Sequence, residues 1–320
     1  MKALRVLIVK TSSMGDVVHA LPVVNDIHAH YPEAQVDWLV ESPFAAIPQL
    51  HPGVRRVFSM AWRRWRGQLL RGDTWRAMHA LRDNLRRESY DLVLDLQGLL
   101  KSAVWARQAG APVVGYDKRS IREPAATWLY TRQAAVAQDM HAVQRCRALA
   151  AAHLNYAMPA IKADFGLHAP KPTWKPRWPA YALIIPNASR REKLWPERHW
   201  VSVGKRMMEL GLTPVVSWGR PEEQTLAERI AASCDGDVPP FLKVGEMASV
   251  LAGAQQVVGL DTGFTHLAAA LGRPTLGIYC DHEPGLAGIT GPGRVASIGG
   301  QGQVPSRADV LALFEQQVRS

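Results

Sequence analysis

Short apolar runs alternate with longer amphipathic stretches along this chain, and the alternation occurs twice. Residues 4–9 form an apolar run of buried-strand length. A polar turn follows, then a stretch with helical spacing over 17–30. Residues 36–40 predict a second strand, Ser42-Pro43 opens a short helix, and 54–58 predict a third strand. Over 74–87, Trp75, Met78, Leu81 and Leu85 fall near one helical face. Residues 92–96 predict a strand, 100–109 a helix and 113–115 a further strand. Such alternation specifies a parallel sheet covered by helices on both faces. Residues 168–180 carry four prolines and read as an extended linker. The pattern then restarts. Strands are expected at 181–186, 213–217, 256–260 and 275–279. Helices are expected from Trp195-Pro196-Glu197, over 221–233 and 262–271, and at the end over 307–318. The expectation is an α/β protein with a first domain over 1–167, the linker over 168–180 and a second domain over 181–320. The terminal helix is left free to pack back on the first domain. Ligands are expected at the carboxyl ends of the strands, in a cleft between two facing domains.

A chain of 320 residues, 47% of them hydrophobic, has room for two such cores. Its first apolar run is too short for a secretory leader, and no stretch approaches the ~20 apolar residues of a spanning helix. Cys146, Cys234 and Cys280 have no metal-like spacing and read as reduced thiols of a cytoplasmic protein. Net charge is uneven. Residues 1–160 hold 21 Lys+Arg against 13 Asp+Glu, a balance of +8, whereas the remainder balances at +2. Residues 55–87 alone contain ten Arg and two Asp, with Trp62-Arg63-Arg64-Trp65-Arg66 at their centre. Arginine interleaved with tryptophan suits phosphate-bearing or interfacial partners. No nucleic-acid fold signature accompanies it.

Candidate chemistry lies at strand ends. Lys10-Thr11-Ser12-Ser13-Met14-Gly15-Asp16 follows the first strand without a Walker or Gly-x-Gly-x-x-Gly pattern. Asp16 suits either a helix cap or a general base. Asp261-Thr262-Gly263-Phe264-Thr265-His266 joins a buried strand directly to a helix, whose N-terminal N–H groups suit an anion. The same tripeptide in aspartic proteases sits in an all-β context, unlike this one. Ser189 and Lys193, after the first strand of the second domain, can offer a hydroxyl and a cation to a diphosphate. Glu223 suits either ribose hydroxyls or the dipole of its own helix. Asp235-Gly236-Asp237 reads as a surface turn and not as a metal site.

Lys-Thr-Ser-Ser-Met-Gly-Asp at 10–16, Asp-Leu-Gln-Gly-Leu-Leu-Lys-Ser at 95–102 and Arg-Glu-Pro at 122–124 stand in order along the chain. Lys-x-Trp-Pro-Glu-x-His-Trp at 193–200 and Asp-Thr-Gly-x-x-His at 261–266 complete the series. Together they resemble the ADP-heptose:lipopolysaccharide heptosyltransferases of glycosyltransferase family 9. The opening motif and the arginine cluster are most similar to the members that add the first heptose. The resemblance implies a GT-B fold of two Rossmann-like domains, no cofactor, no metal, and inversion at the anomeric carbon with Asp16 as base. It implies donor contacts at Ala188, Ser189, Lys193, Glu223, Leu242, Asp261, Thr262, Gly263 and His266. Ala188 stands where the family has a hydroxyl residue. Acceptor phosphates and carboxylates would meet Ser13, Arg63, Arg64, Arg66, Lys101 and Arg122. The implied partners are ADP-heptose, Kdo-lipid A and the anionic inner face of the bacterial inner membrane, with no nucleic acid. A later heptosyltransferase of the family is the alternative enzyme. A non-catalytic nucleotide- or anion-binding protein would share the fold and need no base at Asp16.

Overall fold

The structure is a computed structural model and describes residues 3–319. It divides into two compact units, residues 1–166 and 167–320. The first holds six strands: β1 (Arg5–Val9), β2 (Gln35–Glu41), β3 (Val54–Met60), β4 (Leu92–Asp95), β5 (Val113–Tyr116) and β6 (Arg132–Ala134). They form one sheet in the order β3-β2-β1-β4-β5-β6, every pairing parallel. The second holds β7 (Tyr181–Ile185), β8 (Thr213–Val216), β9 (Gln256–Leu260), β10 (Thr275–Tyr279) and β11 (Val295–Gly299), in the parallel order β11-β10-β9-β7-β8. The central strands are apolar on both faces because helices cover both. Val6–Val9 and the whole of β7 and β9 are buried.

Strand order fixes where ligands can bind. In each sheet the chain reverses its winding direction beside the first strand, between β1 and β4 and between β7 and β9. The helices that follow the two strands then leave on opposite faces, and the loops at the carboxyl ends part to leave a crevice. Both motif-bearing loops of each unit lie at these two points.

Several elements differ from the sequence expectation. The stretch 17–30 is two helices, Met14–Ala20 and Pro22–His30, because Pro22 has no N–H to continue the first. Asp16 therefore stands inside a helix, three residues beyond its N-cap Ser13. The helices Ala142–Leu154 and Val244–Gly253 and the edge strands β6 and β11 are additional. The first of these helices is locked by a buried ion pair. Arg147 Nε and Nη2 donate to Asp26 at 2.7 and 2.9 Å, and Nη1 donates to the Ile161 carbonyl at 3.1 Å. The proline-rich segment is pinned at Arg177, whose backbone N–H donates to Asp237 at 2.6 Å and whose guanidinium meets Asp235. Asp235 and Asp237 thus hold the chain in place. The terminal helix, Arg307–Arg319, buries Val310 and Phe314 in the core of the second unit, beside the helix Glu197–Glu209.

Candidate active site

In the first unit the loop after β1 is held by the loop after β4. Gln97 Oε1 accepts from the N–H groups of Thr11 and Ser12 at 2.8 and 3.0 Å, and Lys10 Nζ donates to the Leu96 carbonyl at 2.8 Å. Asp95 organises that second loop from below. It is fully buried and accepts from Gln97 N–H, Ser102 Oγ and Tyr130 OH. Burial pushes its carboxyl up, against the pull of these bonds. The loop before Asp16 is therefore rigid, and its stiffness originates 86 residues away in sequence.

Asp16 Oδ2 accepts from both the N–H and the hydroxyl of Ser13, each at 2.8 Å. Among the described residues Oδ1 takes no hydrogen bond. Burial alone would push this carboxyl up. The charge of Lys10, the two Ser13 bonds and the charge of Arg122 outweigh it and hold the carboxyl below its ordinary range. Asp16 is thus an anion at neutral pH with one oxygen engaged in a capping box and the other open. Lys101 Nζ donates to Ser12 Oγ at 3.0 Å and lies 3.7 Å from the buried carboxylate of Glu41. Burial pushes the Lys101 ammonium down, Glu41 opposes that, and the nearby Arg63 and Arg66 add to it.

The structure sorts the arginine cluster. Arg55 pairs with Asp37 and Glu88, Arg56 with Glu88, Arg71 with Asp73, and Arg82 with Asp83. Arg86 donates to the Gln108 carbonyl and Arg87 to Asn84. Those six side chains already have partners within the first unit, the pairs of Arg71 and Arg82 being solvent-exposed. Arg63, Arg64, Arg66 and Arg76 are exposed without an ion pair among the described residues; Arg63 lies over the Phe44 ring.

In the second unit the loops after β7, β8 and β9 enclose an open pocket of about 290 Å³. Ala188, Ser189, Glu223 and Thr262 line it, with Trp218 and Phe264 as apolar walls. Gly259 permits the close fit beneath: a Cβ there would stand 2.5 Å from Thr265 Oγ1 and 2.9 Å from Ile185 Cβ. Asp261 Oδ2 accepts from Lys193 Nζ at 2.5 Å, and Asp261 Oδ1 meets His266 Nε2 at 3.2 Å. The first intrahelical donor after Thr262 is Thr265, so the Gly263 and Phe264 N–H groups precede the ladder at the helix N-terminus. Glu223 accepts from the N–H groups of Gly219 and Arg220 at 3.0 and 3.2 Å and pairs with the Arg220 guanidinium. It caps its helix and faces the pocket at once. Leu242 is buried and does not line this pocket, whereas Trp218 does. Trp218 donates to the Pro239 carbonyl and packs on the exposed Phe241 ring, 5.8 Å between centroids. Its place directly after β8 was the signal for that wall.

Burial would push the Asp261 carboxyl up from its ordinary 3.8, but His266 and Lys193 hold it at about 2. A depressed folded-state pKa stabilises the fold above the unfolded value and loses that stability as pH falls through the folded one. The difference is worth about 2 kcal/mol, since each pKa unit is ~1.4 kcal/mol. Acid unfolding of Asp261→Asn should therefore lack a component of that size, between about pH 4 and pH 2. A stability difference from wild type that stays constant across this window would show that Lys193 and His266 do not hold the carboxylate in solution.

Two parallel α/β units, with a carboxylate at the switch point of one and an open pocket beside a helix N-terminus at that of the other, define a GT-B glycosyltransferase. The family model for glycosyltransferase family 9 (heptosyltransferase) matches residues 78–308, and the chain belongs to that family as a heptosyltransferase enzyme. It is 42% identical over 297 residues to lipopolysaccharide heptosyltransferase 1 of Pseudomonas aeruginosa, covering 91% of this chain and 83% of that one. Among solved structures it is similar to the Escherichia coli heptosyltransferase WaaC with ADP. That match has TM-score 0.90 and 36% identity, and covers 98% of this chain and all of the other. WaaC with ADP-2-deoxy-2-fluoro heptose matches at TM-score 0.85 and 35% identity, over 98% and 99% of the two chains.

Proposed function

We propose that this enzyme transfers L-glycero-D-manno-heptose from ADP-heptose to the Kdo of Kdo-lipid A, with inversion and without a metal, in building the lipopolysaccharide inner core. The observation that carries this reading is Asp16, an ionised carboxylate whose Oδ1 is open while Oδ2 is fixed by Ser13. The likeness to WaaC, solved with ADP and with an ADP-heptose analogue, supports the donor. An acceptor hydroxyl gives its proton to Asp16 Oδ1 as its oxygen bonds the anomeric carbon. The bond from that carbon to the diphosphate breaks, and its electron pair leaves with ADP. Attack opposite the leaving group inverts the centre. A carboxyl with a lowered pKa is a weak base, so the proton moves late, when the hydroxyl has been acidified by bonding to carbon.

Negative charge grows on the departing diphosphate, and the second unit supplies the counter-charge. Lys193 has three N–H donors; Asp261 orients the ammonium and leaves others for phosphate oxygens. The helix N-terminus at Gly263 and the Ser189 hydroxyl add fixed dipoles. Trp218 and Phe264 offer walls for the adenine, and Glu223 an acceptor for ribose hydroxyls. In the first unit Ser13, Arg63, Arg64, Arg66, Lys101 and Arg122 grip the phosphates and carboxylates of the acceptor. No helix among the described residues is long and apolar enough to cross a membrane. In this reading the exposed Arg63, Arg64 and Arg66 bring the enzyme to its lipid acceptor peripherally, at the inner face of the inner membrane.

Lys193→Ala tests the leaving-group half. ADP release in the presence of Kdo-lipid A should show kcat and donor affinity both falling, each by about tenfold or more, because the charge acts before and during bond breaking. Chelators should leave wild-type turnover unchanged. Strict dependence on added Mg²⁺ or Mn²⁺ would overturn the metal-free mechanism.

A further inference from the structure

Of the large apolar side chains at the surface, the two most exposed belong to the first unit: Leu70 at 103% and Trp128 at 85%. We propose that both insert into an anionic bilayer, as paired apolar points flanked by the unpaired arginines. The inference rests on the peripheral reading above and deepens it by naming the inserting residues.

Leu69 and Leu70 form the tip of the connection between the Trp62–Trp65 turn and the helix Gly72–Arg87. The tip is braced from within. Trp75 Nε1 donates to the Leu69 carbonyl at 2.7 Å, Gln68 N–H to Trp65 O at 2.9 Å, and Arg71 N–H to Gln68 O at 3.1 Å. A backbone that satisfies its own hydrogen bonds while presenting leucine outward is held there against the hydrophobic effect. Trp75 itself is half exposed, with its indole N–H already satisfied. Such a ring suits the boundary between headgroups and acyl chains.

Trp128 lies on the turn Pro124–Leu129, which packs beside the helix Leu100–Gln108. That helix turns Leu100 and Val104, one turn apart, outward as well. The arginine-rich turn rests on the same helix, through Trp65 against Trp105 at 5.4 Å between centroids. One helix thus packs against the Trp128 turn and, through Trp65, against the arginine-rich turn that leads to the leucine tip, and its first turn bears Lys101. Exposed Arg63, Arg64, Arg66 and Arg76 flank the leucine tip, and Arg122 precedes the Trp128 turn. Separate protruding points amid cations complement anionic headgroups over an apolar interior. A protein partner instead favours one contiguous patch with a depleted charge.

The double variant Leu70→Ser, Trp128→Ser tests this in flotation with vesicles of phosphatidylglycerol and phosphatidylethanolamine at physiological salt. Membrane partitioning should drop about tenfold or more, because insertion of two large apolar side chains is lost. Thermal unfolding, and turnover on a de-acylated, water-soluble acceptor, should match wild type. Equal partitioning of wild type and variant overturns the insertion and leaves the peripheral reading standing. Failure of the wild type to partition overturns both. Equal loss of turnover on the soluble acceptor would mean that these side chains serve the acceptor site and not the bilayer.

Discussion

Replacing Asp16 with Asn should lower kcat by about 10²–10⁴, with the KM for ADP-heptose little changed. The amide keeps an oxygen for the Ser13 N–H and hydroxyl, so the capping box survives in part while the base is lost. Asp16→Ala removes both and should add a stability loss of about 1 kcal/mol, typical of a lost cap. The pair separates chemistry from folding. If Asn restores stability but not turnover, the open oxygen is the catalytic one. If both variants turn over normally and differ from wild type only in Tm, Asp16 is a cap. The lowered pKa adds a constraint on pH dependence. The group is ionised throughout pH 5–8 (a range about the neutral working point), so no acid limb of kcat in that window belongs to it.

Asp26→Ala should be among the most destabilising single changes in the chain. It leaves the Arg147 guanidinium, 1% exposed, without its bidentate partner. Breaking a buried pair from one side costs about 3–5 kcal/mol, a large share of the ~5–15 kcal/mol that holds a domain together. The pair joins the helix Ala142–Leu154 to Pro22–His30, so the first unit should unfold early and the second should still bind ADP. Combining Asp26→Leu with Arg147→Met should recover most of the loss, since an apolar pair of similar volume needs no counter-charge. A double variant as unstable as the single one would mean that the Arg147 bond to the Ile161 carbonyl, and not the ion pair, is the essential contact.

The interior strands were legible because a strand buried on both faces reads as an unbroken apolar run. β1, β7 and β9 are of this kind. Of the edge strands, β3 and β8 were read and β6 and β11 were not. Arg132-Gln133-Ala134 and Val295–Gly299 are only partly buried, and their sequences carry little apolar signal. The helix Ala142–Leu154 does carry helical spacing at Val143, Cys146 and Leu149, but a charged arginine lies buried in the middle of that face. Candidate site residues at strand ends, Asp16, Asp261 and Thr262, stood out because position and chemistry coincided. Gln97 was visible only as part of a motif. Its task, holding Thr11 and Ser12, exists because β1 and β4 pair, and no local pattern encodes that. The same distance effect concealed which arginines are free. Glu88 disarms Arg55 and Arg56 from more than thirty residues away.

The strand orders have a consequence for synthesis on the ribosome. In β3-β2-β1-β4-β5-β6 and in β11-β10-β9-β7-β8, each new strand joins an edge that is still open when it emerges. None has to be threaded between two strands already paired. Each sheet can therefore grow outward from its first strand as the chain lengthens, and each unit can fold as it leaves the exit tunnel. The two crevices mature at different moments in that sequence. The first becomes complete once β4 and Gln97 dock on β1, well before the second unit has been made. The second waits for β9, so the nascent chain carries its Asp16-bearing half for some 160 residues before Asp261 emerges.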